Sequence, residues 1–515
     1  MSINWNEVIT PKSFPFEVKS FRLVQTHISY VFITDKWVYK IKKPVDFGFL
    51  DFTTLEKRKF FCEKEVELNR RLCPEIYIGV VPVVKKGNEF FFEGEGEPVE
   101  YAVKMKPFPE EGIMLNLLKK KEVTTSHIDL INSKLVPFYK NARADEEVAK
   151  YGKVEVVKFN IDENFAQTKD FVNIAIPEYK YRFIVDYNEK FFKEKTKLFE
   201  ERIKGGFIRE GHGDLYSANI CFEDLKNVYI FDCIEFNERF RCGDVASDIA
   251  FLAMDLDFHR ERELSNYFVE KYIQKSGDEG LREILDFYKC YRAYVRGKIG
   301  CFTYASPGIS EEEKRTHLEN ARKYFDLAYL YAGGIPKIVI FMGLSGSGKS
   351  FLARALNEVI GGVYLSSDVI RKKLAGLSPE TKCIEDFEKG IYSSEFSEKT
   401  YKEMARIAVE EASYGRDVIL DATFKNKAYR DWVRDTLKEA KAEVYWIWCY
   451  ASDEVIKQRL DKRQKEGDVS DGRWEIYVKQ KETYDPPEEC SPILKLNTDD
   501  SKENLLNQLK NFLKI

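Results

Sequence analysis

A glycine-rich stretch in the second half of the chain carries the residues with the clearest chemistry. Residues 343–350 read Gly-Leu-Ser-Gly-Ser-Gly-Lys-Ser and match the pattern G-x-x-x-x-G-K-[ST]. An apolar run at 338–342 precedes them and a helical pattern follows. In that setting, inward-turned backbone N–H groups and a helix start bind phosphate oxygens. The stretch therefore predicts a site for ATP or GTP with Mg2+. We expect Lys349 to bind the β and γ phosphates and the Ser350 hydroxyl to bind the metal. The other residues of the predicted site are Gly343, Ser345, Gly346, Ser347 and Gly348.

A second phosphate-handling pattern lies far upstream. Residues 212–219 read His-Gly-Asp-Leu-Tyr-Ser-Ala-Asn, which is the H-x-D-x-x-x-x-N spacing of a protein-kinase catalytic loop. In such a loop Asp214 is the base and Asn219 binds Mg2+. An apolar strand at 228–231 then leads to Asp232, where a second metal-binding carboxylate is expected.

A kinase-type site also needs a lysine on a central strand and a glutamate on a helix to hold it. Lys40 lies in a strand pattern and Glu65 in a helical stretch around residues 54–72. Lys42 has the same strand facing as Lys40, so it competes for the same role, and the spacing alone leaves both open. We expect Lys40 and Glu65 to form the pair.

These upstream residues, together with Asp-Val-Ala-Ser-Asp-Ile-Ala at 244–250, resemble the aminoglycoside phosphotransferase and choline kinase superfamily. The resemblance implies a bilobal protein-kinase-like fold with Asp214 orienting the acceptor hydroxyl. It also implies that His212 and Asp248 brace the catalytic loop and that Glu235 is a further metal-site acid. The sequence has no G-x-G-x-x-G over the phosphates, and residues 25–29 stand in that place.

The phosphate loop near residue 343 is followed by a second set of charged residues. A strand pattern leads to Asp368, with Arg371 one helical turn later. Such a pair orients an attacking hydroxyl and clamps an acceptor phosphate. A buried strand ends in Asp421, where a carboxylate can hold Mg2+. We expect a lid helix to begin at residues 459–463. Arg459 and Arg463 would lie on one face of this helix, where they could neutralise the charge of the transferring phosphate.

This second half resembles the polynucleotide kinase, zeta-toxin and gluconate kinase group of P-loop kinases. Over nearly its whole length, the chain resembles bacterial bifunctional proteins that fuse an aminoglycoside-phosphotransferase-like domain to a P-loop ATPase domain. That resemblance does not indicate which acceptor substrate is phosphorylated.

Composition narrows the alternatives. The 515 residues are 44% hydrophobic and 33% charged, with a formal net charge of -4 and a pI near 6.0. These values favour a globular chain without bulk nucleic-acid binding. The ten cysteines show no C-x-x-C pairs, and no stretch has the length of a membrane span or the pattern of a secretory signal. We expect reduced thiols and a cytoplasmic protein without a membrane.

The length predicts two or three domains. A capping box at 310–313 opens a helix that ends before Gly333-Gly334-Ile335-Pro336, a boundary signal. We therefore predict an α+β kinase-like domain at 1–334, with a small β-rich lobe to about 106, and a doubly wound α/β P-loop domain at 335–515. Both domains are expected to transfer the ATP γ-phosphate to hydroxyls of a small molecule or a polynucleotide end. The alternative is an ATP-hydrolysing P-loop switch coupled to a catalytically weak ligand-binding domain.

Overall fold

The computed structural model describes residues 3–378, 381, 390–466 and 473–515 and divides into two compact units. Unit 1 comprises Met1–Asp162 and Phe191–Arg292, and unit 2 comprises Glu163–Lys190 and Ala293–Ile515. This division differs from the boundary that the sequence suggests at 334/335, since residues 293–334 group with the C-terminal sheet. The compact units do not test where the evolutionary domains of the chain begin and end, so the 334/335 domain boundary stays a prediction.

Unit 1 begins with a six-stranded antiparallel sheet in the order β1-β2-β3-β6-β4-β5. One face packs on an aromatic core that includes Phe32, Tyr39 and Phe92. The other face packs against α2, which Thr54 caps by accepting a hydrogen bond from Lys57 N–H. The bounds are α1 Trp5–Val8, β1 Arg22–Gln25, β2 Ser29–Ile33, β3 Val38–Lys42, α2 Leu55–Asn69, β4 Tyr77–Lys86, β5 Glu89–Phe92 and β6 Pro98–Met105.

Helices dominate the chain between the two large sheets. Two short antiparallel strand pairs, β7 with β10 and β8 with β9, interrupt them around the H-x-D-x-x-x-x-N loop. The bounds are α3 Met114–Lys120, α4 Thr125–Asn141, α5 Glu146–Ala149, α6 Val154–Thr168, α7 Glu178–Lys204, β7 Ile208–Glu210, β8 Ile220–Phe222, β9 Val228–Ile230, α8 Glu238–Arg241, β10 Cys242–Asp244, α9 Val245–Phe258, α10 Arg262–Ser276, α11 Leu281–Tyr304 and α12 Glu311–Tyr331.

Unit 2 contains a five-stranded parallel sheet in the order β12-β13-β11-β14-β15. Separate apolar cores lie on its two faces, so the expectation of a doubly wound parallel sheet is confirmed. The bounds are β11 Lys337–Met342, α13 Lys349–Ile360, β12 Val363–Ser366, α14 Ser367–Leu374, α15 Ser394–Ala412, β13 Val418–Asp421, α16 Lys427–Leu437, β14 Glu443–Tyr450, α17 Asp453–Glu466, α18 Trp474–Glu482, β15 Ile493–Asn497 and α19 Lys502–Leu513.

A buried charge cluster ties the helical part of unit 2 to this sheet. Lys180 on α7 is 1% exposed and pairs with Asp326 on α12 at 2.7 Å and with Asp417, just before β13, at 3.0 Å. Asp417 also accepts a hydrogen bond from the backbone N–H of Lys337, the first residue of β11. These contacts explain why the residues before 335 group with the sheet.

Within the described residues, no helix has the length and apolar character that crossing a membrane requires.

Candidate active sites

Two lysines on one face of β3 share a single glutamate. Lys40 and Lys42 are two residues apart, so they project to the same side of the strand. The Nζ of Lys40 lies 2.9 Å from Oε1 of Glu65, and the Nζ of Lys42 lies 2.7 Å from Oε2. Each lysine then reaches a second acid: Lys40 contacts Oδ1 of Asp232 at 2.7 Å, and Lys42 pairs with Glu235. The result is a continuous chain of five charged groups.

Exposure separates the two ends of this chain. Lys42 and Glu65 are fully buried, whereas the Asp232 side chain is 46% exposed and Lys40 is 13% exposed. Burial raises the pKa of Glu65, but Lys40 and Lys42 together lower it by more. The pKa of Glu65 therefore lies below its usual value. For Glu235, burial raises the pKa more than Lys42 lowers it. The Lys40 end can therefore meet a ligand, and Glu235 is committed to Lys42 rather than open to a metal.

Asp248 braces the H-x-D loop through the backbone. Its carboxylate accepts hydrogen bonds from the N–H of His212 at 2.7 Å and of Gly213 at 3.0 Å, and from the Tyr139 hydroxyl. Burial lowers the pKa of His212 to about 4, so its ring is neutral at pH 7. The contacts at Nε2 with the Phe231 carbonyl and at Nδ1 with the Asp214 N–H fit a neutral ring protonated on Nε2.

Asn219 ties the end of the loop back to Asp214. Its amide nitrogen donates to Oδ2 and to the backbone oxygen of Asp214, both at 3.0 Å. Because the amide is planar, its oxygen points to the other side, where it can bind a cation. The structure thus brings Asp214 and Asn219 together, as the spacing predicts.

Asp232 has a left-handed backbone, with φ of 62°, which is uncommon for a non-glycine residue. Two residues that the sequence analysis missed hold this bend. The Tyr77 hydroxyl accepts from the Asp232 N–H at 3.3 Å, and the Asn69 amide oxygen accepts from the Cys233 N–H at 2.9 Å. Neither residue lies in a motif, so only the fold identifies them.

The phosphate loop of unit 2 connects the end of β11 to the start of α13. Gly346 and Gly348 have φ of 79° and 82°, a region that favours glycine. An added Cβ at Gly346 would lie 2.8 Å from Ile456, so the helix α17 leaves no room for a side chain. Lys349 and Ser350 occupy the first turn of α13, where the helix start leaves N–H groups for an anion.

Asp421 ends β13, the strand beside β11. Its Oδ2 accepts a hydrogen bond from Tyr364, whereas its Oδ1 is buried with no hydrogen-bond partner among the described residues. The same is true of the Ser347 hydroxyl. An orphaned buried carboxylate oxygen costs free energy unless a ligand occupies it, and Mg2+ prefers such oxygen donors. The residues therefore fit a Mg2+ held by Ser350 and Asp421.

Arg459 lies in the middle of α17, which begins at Asp453, so the expectation that it opens the helix is wrong. Its guanidinium donates to the Thr498 carbonyl at 2.7 Å and hydroxyl at 2.8 Å and to the Gly346 carbonyl at 3.4 Å. The Thr498 hydroxyl in turn donates to the Ser347 carbonyl. Arg459 thus borders the phosphate loop. The side chain of Arg463 lies outside the described part of the structure.

Asp368 and Arg371 both lie on α14, directly after β12. Arg371 is 5% exposed, donates to the Ile391 carbonyl at 2.7 Å and to the Ser397 hydroxyl at 3.0 Å, and stacks on the Tyr392 ring. Its Nε has no hydrogen-bond partner among the described residues. In this conformation Arg371 anchors the 391–397 segment through its Nη1.

The candidate metal donors form small oxygen sets, Asn219 with Asp232 in unit 1 and Ser350 with Asp421 in unit 2. Throughout the described ranges, no group of three or more His, Cys, Asp or Glu side chains could hold a metal ion. Mg2+ commonly binds through one or two carboxylates and keeps several waters, so both sets suit it.

Comparison with known proteins gives results for both parts of the chain. Residues 338–487 match a family model described as an AAA domain. Among solved structures, an APS kinase of Mycobacterium tuberculosis is 20% identical, with a TM-score of 0.28, and covers 35% of this chain and 99% of its own. A shikimate kinase of Acinetobacter baumannii is 17% identical, with a TM-score of 0.26, and covers 35% and 94%.

The matches to whole proteins are longer. The uncharacterized protein Rv2004c of Mycobacterium tuberculosis is 30% identical over 454 residues, which is 88% of this chain and 88% of that protein. The uncharacterized protein Mb2027c of Mycobacterium bovis gives the same values. This chain therefore belongs to the family of these mycobacterial proteins, and an AAA-type P-loop domain forms its C-terminal part.

Proposed function

We propose that this protein is an ATP- and Mg2+-dependent phosphotransferase with two separate active sites. The observation that carries the proposal is that each compact unit brings together lysine, carboxylate and amide or hydroxyl side chains of the kinds that bind phosphate and Mg2+. Unit 1 has the Lys40–Glu65–Asp232 chain and the paired Asp214 and Asn219. Unit 2 has the phosphate loop and Asp421. The acceptors we propose are hydroxyls of a small molecule or a polynucleotide end.

In unit 1, the proposed kinase-like chemistry needs a base, a cation-binding pair and a phosphate lysine. Asp214 is held through Asn219 and the braced loop, so its carboxylate is preorganised to orient a hydroxyl. Asp232 and Asn219 would hold Mg2+, which neutralises phosphate charge when bound. Lys40, already paired with Glu65, would bind phosphate oxygens. We propose an aminoglycoside-phosphotransferase-like fold for this unit together with these roles.

In unit 2, the glycine turns and the start of α13 bind the phosphates, and Lys349 adds a positive charge to them. Arg459 adds a second cation beside the loop. Asp368 would orient the acceptor hydroxyl. These roles follow the general division of phosphoryl transfer into positioning and charge stabilisation.

The test is transfer of labelled γ-phosphate from ATP to a panel of metabolites, RNA and DNA ends. Wild type, Asp214→Ala and Lys349→Ala are compared. We expect each substitution to remove a different set of labelled products. Products lost in both variants, or in neither, would contradict two separate sites.

The placement of Arg371 favours a second candidate for unit 2. The Nη1 of Arg371 is bound to the Ile391 carbonyl and the Ser397 hydroxyl, so this side chain holds a segment of its own chain, and that is an alternative role to gripping an acceptor phosphate. Unit 2 would then be an ATP-hydrolysing switch. ATP hydrolysis that needs no acceptor and survives Asp368→Ala would support the switch, whereas acceptor-dependent ADP release would support the kinase.

A further inference from the structure

The turn that follows α2 carries two adjacent arginines with different targets. Arg70 donates to the carbonyl of Tyr77 at 2.9 Å and to the carbonyl of Ile78, and both of these residues lie in β4 of the six-stranded sheet. Arg71 instead donates to the backbone of the segment that leads into the H-x-D loop. Neither arginine belongs to a motif, so the sequence alone does not distinguish their roles.

The guanidinium of Arg71 holds the backbone just before Asp214. Its Nη1 lies 3.0 Å from the carbonyl oxygen of Glu210, and its Nη2 lies 3.0 Å from the carbonyl oxygen of Gly211. Its Nε donates to the Leu68 carbonyl in the last turn of α2 at 2.9 Å, which fixes the guanidinium relative to the helix. Donors of one rigid plane therefore join the end of α2 to two consecutive carbonyls.

The same side chain contacts the segment that follows Asp232. The Nη2 of Arg71 lies 3.4 Å from Sγ of Cys233, whose N–H donates to the Asn69 amide oxygen at 2.9 Å. The Asn69 amide nitrogen donates in turn to the carbonyl of Glu65 at 2.8 Å. The end of α2 is thus bonded both to the segment before the proposed base and to the segment after the proposed metal ligand.

The surroundings of Arg71 restrict its side chain to this position. The side chain is 23% exposed, and its guanidinium lies 5.0 Å from the centre of the Phe138 ring on α4. The Oε2 of Glu210 lies 3.4 Å from Nη1 of Arg71, while Oε1 of Glu210 accepts a hydrogen bond from Arg241 at 3.1 Å. A guanidinium that is paired, stacked on a ring and bonded to carbonyls is suited to hold the protein together rather than to bind a ligand.

A short path leads from Arg71 to the proposed base. The Gly211 carbonyl that Arg71 holds belongs to the same peptide unit as the His212 N–H, which donates to Asp248 at 2.7 Å. Because the C=O and N–H of a trans peptide point in opposite directions, Arg71 and Asp248 hold this unit from opposite sides. His212 then accepts the N–H of Asp214 at its Nδ1. Loss of the Arg71 contacts would free one side of the peptide that leads to the base.

We propose that Arg71 is a positioning residue, which holds the H-x-D loop and the Asp232 segment at a fixed separation from the Lys40–Glu65 pair. The inference rests on the proposed function, in which Lys40 binds phosphate and Asn219 and Asp232 hold Mg2+. A metal shared between phosphate and protein needs both sets of oxygens at the right separation. Arg71 therefore determines how strongly Mg2+ improves nucleotide binding, although its own contacts are with protein groups.

The test compares nucleotide binding with and without the metal. A non-hydrolysable ATP analogue is titrated by calorimetry into the full chain carrying Lys349→Ala, once with Mg2+ and once with EDTA. The ratio of the two affinities is the Mg2+ enhancement. Arg71→Lys keeps the positive charge but lacks the planar fork that reaches both carbonyls. We expect the enhancement to fall about tenfold, the lower end of the range for residues that support metal ligands, with the affinity in EDTA unchanged.

Arg70→Lys is the matched control, because it makes the same change at the neighbouring residue, whose described bonds go to β4. We expect its Mg2+ enhancement to equal that of Lys349→Ala alone. An unchanged enhancement in Arg71→Lys would overturn the proposal. Equal losses of affinity with Mg2+ and with EDTA would also overturn it, because they indicate general damage to the site rather than misplaced metal ligands.

Hydrogen exchange tests the link without any nucleotide. Arg71→Lys should speed exchange of the backbone N–H groups at 211–214 by roughly tenfold, because local opening becomes easier, and Arg70→Lys should not. Unchanged exchange in Arg71→Lys would contradict the positioning role. Faster exchange, in a chain whose Lys349→Ala parent already shows no Mg2+ enhancement, would support the link and instead disprove the Mg2+-dependent function proposed for unit 1.

Discussion

Replacing each lysine of β3 in turn separates stability from function in unit 1. Lys42 lies between Glu65 and Glu235, and all three are buried. Lys42→Met leaves Glu235 without its cation and leaves Glu65 with Lys40 alone. Removing one partner of a buried ion pair costs about 3–5 kcal/mol, because the remaining charge is left uncompensated. We expect Lys42→Met to lower the free energy of unfolding of unit 1 by that amount.

Lys40→Met is expected to behave in the opposite way. Glu65 keeps Lys42, and Asp232 is 46% exposed, so water can solvate its freed carboxylate. The loss of stability should stay under about 2 kcal/mol. Phosphate binding, however, loses its lysine, and transfer at the unit 1 site should fall roughly 10²–10³-fold, the range for one lost electrostatic donor.

The measurements use a non-hydrolysable ATP analogue and proteins that also carry Lys349→Ala. Because Lys349→Ala is expected to remove ATP binding in unit 2, the remaining binding of the analogue reports on unit 1. Hydrogen exchange of peptides from β3 and α2 gives local stability, and calorimetry gives affinity. Lys42→Met combined with Glu235→Gln is the control, because it removes both charges and should recover about half of the lost stability. If Lys42→Met abolished ATP binding at unchanged stability while Lys40→Met kept it, the assignment of the two lysines would be reversed.

Four further outcomes are expected. A non-hydrolysable ATP analogue should bind at two sites in the intact protein, and Lys349→Ala should remove one; a stoichiometry of one in wild type would contradict this. Asp232→Ala should abolish unit 1 transfer with unit 2 turnover nearly intact, measured by product-specific labelling. Asp368→Asn should lower unit 2 transfer roughly 10²–10⁴-fold with little change in ATP affinity, because it removes a positioned base; full transfer on the true acceptor would refute its role. Burial raises the pKa of Asp326 to about 6, so wild type should lose about 2 kcal/mol of stability relative to Asp326→Asn as pH rises from 4 to 7, measured by denaturation at each pH.

The sequence predicted well what depends on local pattern. The parallel sheet of unit 2 and the capping box at Ser310 follow from hydrophobic period and capping chemistry, which act within a few residues. The spacing of Asp214 and Asn219 likewise puts both residues in one loop, and there they are in contact.

Long-range partners could not be predicted in the same way. Glu235 binds Lys42, which lies 193 residues away in the sequence, and no spacing rule connects them. Asn69 and Tyr77 support the bend at Asp232 from elements without a motif. The choice between Lys40 and Lys42 also needed the fold, because both face the same side of the strand and only their second partners differ. The prediction that α17 begins at Arg459 is wrong because the acidic first turn at Asp453 is the helix-start signal.

Two of the buried charge clusters among the described residues differ in their surroundings, and we use that difference to compare a structural role with a ligand-binding one. Lys180, Asp326 and Asp417 are each 6% exposed or less, Asp326 also lies 3.7 Å from Arg416, and Asp417 also bonds the start of β11. The Lys40 chain ends instead in a half-exposed Asp232 on a left-handed backbone. Replacing a buried ion pair by apolar groups is often neutral or stabilising, so burial of charge alone does not indicate function. Exposure at one end, together with a bend that other side chains must hold in place, does indicate it. On this argument we infer that the first cluster orders the architecture of unit 2, and we propose that the second holds the Asp232 carboxylate in place for a ligand.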